Sequence, residues 1–141
     1  MKLPLALLAL TFAASCATAD KPMEPRTRAT CNSNPCLVKV TVRDCRDIRV
    51  EPERLDIPAG NRNNIVWELH QLPTMGFVFT RNGVEFKHGG GGGFSSPGGH
   101  NSIRYVWHNN NSGKGEHRYN VNLTQDMGRT ICTLDPTIFN H

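Results

Sequence analysis

The side chains of this 141-residue chain best suited to holding a metal or moving electrons are five cysteines and six histidines. The cysteines are Cys16, Cys31, Cys36, Cys45 and Cys132; the histidines are His70, His88, His100, His108, His117 and His141. A zinc site usually needs two close cysteines and a second close pair. Cys31 and Cys36 make one pair, and the second is missing. His88 and His100 bracket the run Gly89-Gly90-Gly91-Gly92-Gly93 and are candidate ligands for a soft metal. They stand on a backbone with little conformational restraint, which pre-organises ligands poorly. Phe94, just after the glycines, is a candidate anchor for a partner. The same run cannot cradle phosphate as a P-loop does, because no Gly-Lys-Ser/Thr follows and no helix begins there; it reads as a flexible hairpin connection. His70, His108 and His117 adjoin turns and are expected in solvent. No Gly-x-Ser-x-Gly nucleophile turn exists, and Asp126 and Asp135 have no evident carboxylate partner. Asp135-Pro136 reads as a turn that docks the tail. Catalysis is not expected.

Export decides the covalent state of the thiols. Lys2 followed by the uncharged run Leu3 to Ala14 is a secretory leader, too short for a bilayer span of about 20 residues. Ala13-Ala14-Ser15-Cys16 resembles the bacterial lipobox, which implies a diacylglycerol thioether on Cys16 and, with Ala17 next, sorting to the outer membrane. Ala17-Thr18-Ala19 before Asp20 is a competing site for ordinary signal peptidase. Residues 1–19 are thus assigned to the signal peptide, 20–36 to a polar tether and 37–141 to one domain. Loss of Lys2 leaves 15 basic residues against 12 acidic ones, so the net charge falls from +4 to +3. Bases and acids are interleaved, as in Arg43-Asp44-Cys45-Arg46-Asp47, which describes a solvated surface and not a nucleic-acid footprint. Asn110-Asn111-Ser112 and Asn122-Leu123-Thr124 match the N-glycosylation pattern and read as chance beside a lipobox-like start.

With Cys16 consumed or removed, four cysteines remain, an even number for an oxidising compartment. The preferred pairing is Cys31 with Cys36, across a reversal rich in Asn, Ser and Pro, and Cys45 with Cys132 across a long loop. Cys36 with Cys132 is the rival.

The elements that must carry these residues alternate with period two. Val38, Val40 and Val42 begin the series; Ile48 and Val50, Leu55 and Ile57, and Ile65, Trp67 and Leu69 follow. Phe77 and Phe79 are expected to join Val84 and Phe86 through an Asn82-Gly83 turn. Ile103, Tyr105 and Trp107, then Tyr119, Val121 and Leu123, close it. Helical periodicity is absent. Seven or eight short strands imply an antiparallel sandwich or barrel with Trp67 and Trp107 as large core residues; the alternative is that these aromatics form a ligand-stacking face, as in a sugar binder.

The segment Val50-Glu51-Pro52-Glu53-Arg54-Leu55-Asp56-Ile57-Pro58-Ala59-Gly60-Asn61 leads into Ile65-Val66-Trp67-Glu68-Leu69. With the tail Cys132-Thr133-Leu134-Asp135-Pro136-Thr137-Ile138-Phe139-Asn140, it resembles uncharacterised exported bacterial proteins with a cupredoxin-like domain. The resemblance, spanning about Val38 to His141, implies a Greek-key β-sandwich. A type 1 copper site needs a free thiolate, two histidines and usually a weak axial methionine. In that family the Cys, the second His and the Met follow the strand matched here by Tyr119 to Leu123. Met127 and Cys132 lie there without a histidine between them, so the copper site is expected to be missing.

The expected function is a non-catalytic binding or structural module of the bacterial envelope, without cofactor. It would sit on the periplasmic side of the outer membrane through Cys16, or in the periplasm or secreted, and bind another envelope protein. Two alternatives stand beside it. One is a periplasmic copper- or zinc-binding protein using surface histidines. The other is an inhibitor of a wall-degrading hydrolase, because Ser112 to Tyr119 resembles, at a different spacing, the Ser-Gly-x-x-Tyr loop of lipoprotein lysozyme inhibitors.

Overall fold

The computed structural model describes residues 27–87, 92–99, 102–125 and 130–141. The leader with Cys16, the first part of the tether, His88, His100, Asp126 and Met127 lie outside these residues. Eleven strands form: β1 (Arg28–Thr30), β2 (Cys36–Asp44), β3 (Asp47–Glu51), β4 (Arg54–Ile57), β5 (Asn63–His70), β6 (Val78–Phe86), β7 (Phe94–Gly98), β8 (Arg104–Asn109), β9 (Gly115–Gln125), β10 (Thr130–Leu134) and β11 (Thr137–Asn140). Among the described residues no helix is long and apolar enough to cross a membrane.

Two mixed sheets result, where an all-antiparallel arrangement was expected. One has the order β3-β2-β5-β8-β7; the other runs β1-β4-β11-β9-β10, with β6 on β9. The β2–β5, β1–β4 and β11–β4 pairs are parallel. The reason lies in the connections. A two-residue turn brings β3 back against β2, its geometry held by Asp44 Oδ1, which accepts from the amides of Arg46 (2.6 Å) and Asp47 (2.9 Å). The chain then leaves for the other sheet as β4 and returns as β5 on the far side of β2, running the same way.

Period-two patterning sorts the faces. Val38, Val40 and Val42 are buried, while Leu37, Lys39 and Arg43 face out. His117, Tyr119, Val121 and Leu123 do the same along β9. Side chains of the two sheets meet between them: Trp67 of β5 and Tyr119 of β9, both fully buried, stand edge to face at 5.4 Å and 71°. The indole Nε1 donates to the Tyr119 hydroxyl at 3.2 Å, which satisfies the buried donor. Removing a ring of about 200 Å² from water contributes roughly 5 kcal/mol before entropy is counted.

Three local expectations give way. The Asn82-Gly83 pair is a bulge within the single strand β6, not a hairpin turn: from Phe79 to Val84 the strand advances five residues while β9 advances two, Leu123 to Val121. A Cβ on Gly83 would lie 2.8 and 2.9 Å from the Tyr105 ring and 2.7 Å from the Phe79 Cβ, so the ring takes the place a side chain would fill. Asp135-Pro136 does not turn the tail. β10 and β11 keep one register along β9, from Thr130↔Gln125 through Leu134↔Val121 to Thr137↔Arg118, so the tail is one strand interrupted where proline lacks an N–H. Finally, part of the segment read as tether pairs as β1, with Arg28 opposite Arg54.

Disulfides join Cys31 to Cys36 and Cys45 to Cys132. Because Cys36 opens β2 and Cys45 follows its last residue, this central strand is covalently held at both ends.

Candidate functional site

β6 and the β7–β8 pair border an open cleft of about 950 Å³. Its ring surface comes from Phe86, Phe94, Tyr105 and Trp107, and Arg81, Asn82 and Glu85 stand on its polar side. Phe86 is the hub. It stacks on Phe94 at 4.1 Å and 30°, and meets Trp107 edge to face at 5.4 Å and 76°. Tyr105 and Phe94 are buried, whereas Phe86 and Trp107 are half-buried, so these two residues keep the larger exposed fraction. Trp107, expected in the core with Trp67, is only partly buried and packs against the core from its edge.

The polar atoms of the two larger rings are already engaged. Trp107 Nε1 donates to the Val84 carbonyl and the Tyr105 hydroxyl to the Arg81 carbonyl, each at 3.0 Å. The Phe79 amide donates to the Ser102 carbonyl at 3.0 Å. Strand β6, which among the described residues pairs only with β9, thus gives three of its backbone groups to β8 and its approach.

Behind the rings sits His117, buried at 8 % exposure, with Nε2 donating to the Gly113 carbonyl at 2.8 Å and its imidazole at 5.2 Å and 74° to the Phe94 ring. The expectation of a solvated turn histidine fails because β9 extends to Gly115 and carries His117 inward. His70 is exposed, and His108 Nδ1 lies 3.1 Å from Asn64 Oδ1. Phe94 lines the cleft with only 8 % of its surface exposed. The glycine run ends packed: the Asn110 amide donates to the Gly93 carbonyl at 2.7 Å, and a Cβ on Gly113 would meet the Gly92 carbonyl.

A second polar cluster holds the two chain ends. Asp56 is 2 % exposed and accepts from Arg28 (2.5 and 3.1 Å), Arg54 (2.9 Å) and His141 (3.0 Å). Burial alone would raise its pKa, but the bonds from Arg54, Arg28 and His141 outweigh it and hold the carboxyl well below the usual carboxylate range. The hydrogen bond to Asp56 in turn raises Arg54, whose guanidinium also lies 4.5 Å over the Phe139 ring. Asp56 is saturated by partners, which makes this a strand clamp. Asp135, the other singled-out carboxylate in view, pairs with Lys87 at 2.6 Å. Tyr119, last residue of the segment compared with lysozyme inhibitors, is fully buried and so is not offered on a loop.

Among the described residues no three His, Cys, Asp or Glu side chains gather as a metal site. Sequence reasoning missed Arg81, Asn82, Glu85 and Phe86 as cleft residues. The one signal was the aromatic content of the strand with Tyr105 and Trp107, whose in-phase alternation argues for the core and against a ligand-stacking face. No protein-family model matches the chain, and no curated protein sequence matches it either.

Proposed function

We propose that the chain is an exported, non-catalytic binding or structural module of the bacterial cell envelope, a cupredoxin-like β-sandwich without a type 1 copper centre. The carrying observation is the Cys45–Cys132 bond. Cys132 follows β9, the strand after which the resemblance puts the copper thiolate, and a sulfur bound to sulfur is no thiolate. His141, the one later histidine in the sequence, bonds to Asp56. Two sheets sharing one buried core agree with a sandwich, and two disulfides suit an oxidising compartment. The leader and the lipobox-like Cys16 supply the envelope address. The aromatic cleft, whose described lining holds no Ser, Cys or His, is where such a module would meet its partner.

Native protein extracted from membranes tests this reading through its thiols, its response to cupric ion and its intact mass. The expected results are no titratable thiol before reduction, no intense blue absorption, and a mass that includes a diacylated Cys16. A reactive Cys132 thiol or a blue copper band would overturn the module, and a mature chain starting at Asp20 would remove the anchor.

A further inference from the structure

We infer that the cleft between β6 and β7–β8 binds a neutral carbohydrate chain, stacking a sugar ring on Phe86 and Trp107; this rests on the binding-module reading. Three observations narrow the ligand. First, an extended peptide adding to a sheet edge needs free backbone donors and acceptors. On β6 the Arg81 and Val84 carbonyls are taken by Tyr105 and Trp107, and the Phe79 amide by Ser102. At these three positions recognition falls to side chains.

Second, the side chains on offer are rings with their polar atoms turned away. Trp107 is held by its bond to the Val84 carbonyl and by contact with the Phe86 ring, so the two half-buried rings form a corner of 76°. Such a corner accepts the flat C–H face of a pyranose without an ordering cost in the protein.

Third, the polar side of the cleft carries a donor in Arg81, an acceptor in Glu85, and both in the Asn82 amide. All three side chains are exposed, and neither Arg81 nor Glu85 forms an ion pair with another described residue. One cation and one anion leave no net charge, which suits hydroxyls that both donate and accept better than a phosphate or a polyanion. The cleft, at about 950 Å³, has room for more than one sugar ring.

The chain reports on its own occupancy. Of its two tryptophans, Trp67 is sealed in the core and Trp107 lines the cleft, so a ligand-dependent change in indole emission comes from Trp107. The mature chain is titrated with cellotetraose, chitotetraose and mannotetraose, with a proline-rich decapeptide and a heparin tetrasaccharide as contrasts. At least one neutral tetraose is expected to change the emission saturably. Arg81→Ala combined with Glu85→Ala should weaken that binding about tenfold or more while the near-ultraviolet dichroism stays unchanged. Trp107→Phe keeps a ring in place and should abolish the signal, with binding still measurable by calorimetry. Silence with all three tetraoses, a response indifferent to the rim variants, or a response only to the peptide or to heparin would each overturn the carbohydrate assignment. None of those results touches the thiol and copper measurements, so the module reading stands or falls separately.

Discussion

Asp56 shows at the residue scale how one carboxylate can organise both ends of a chain. Arg28 belongs to β1, Arg54 to its own strand and His141 to the terminus, and all three converge on its two oxygens. The folded pKa lies below the unfolded value of about 3.9. The folded state therefore binds fewer protons in acid, so the contribution of Asp56 is complete above about pH 4–5 and is lost as pH falls toward the folded pKa. Urea midpoints measured between pH 7 and pH 2 should fall steeply in the wild type and less steeply in Asp56→Asn. That variant should itself cost about 2 kcal/mol at pH 7, since its cationic partners keep access to water. The two tyrosines carry the opposite sign. Burial pushes the Tyr119 and Tyr105 phenols above their usual range. Their contribution is intact below about pH 10 and disappears as pH rises through the folded pKa values. At pH 10.5 native protein should show clearly less phenolate absorption than unfolded protein, in which about three quarters of the tyrosine is ionised.

At the scale of elements, β6 and the tail are the parts whose geometry the sequence describes least directly. The β6 bulge exists because Tyr105 occupies the space beside Gly83. Gly83→Ala should displace that ring and cost about 1–3 kcal/mol, read as a lower denaturant midpoint with an unchanged slope. Asn122 secures the same bulge by donating to the Asn82 carbonyl at 2.8 Å. In the tail, β11 lies between β9 and β4 and thereby joins the terminus to strands distant in sequence. The Thr137 amide donates to the Glu53 carbonyl and the His141 amide to the Ile57 carbonyl, each at 3.0 Å. An Asn109–Asn140 amide pair at 2.9 Å, buried on both sides, closes the far end.

Across the whole molecule the covalent links differ in weight. Cys45–Cys132 spans 87 residues and ties the β2–β3 turn of one sheet to β10 of the other, whereas Cys31–Cys36 spans five. Loop-closure entropy makes the first worth about 4–5 kcal/mol and the second about 2 kcal/mol. Replacing Cys45 and Cys132 by alanine should accordingly lower the denaturation free energy about twice as much as replacing Cys31 and Cys36. The β-rich architecture and two disulfides were legible because alternation and cysteine parity are local properties of the chain. Val38, Val40 and Val42 share one face of β2 whatever their neighbours are. The cleft was not legible in the same way. Trp67 and Trp107 occupy equivalent phases in their strands, yet Trp67 meets Tyr119 in the core and Trp107 stands at the boundary between β6 and β7–β8. Sequence by itself determined which side chains share a face, because the pleat repeats every two residues. Tertiary structure alone decided which face is covered, where parallel neighbours arise and that the tail runs on through Pro136, because these depend on strands far apart in sequence meeting in register.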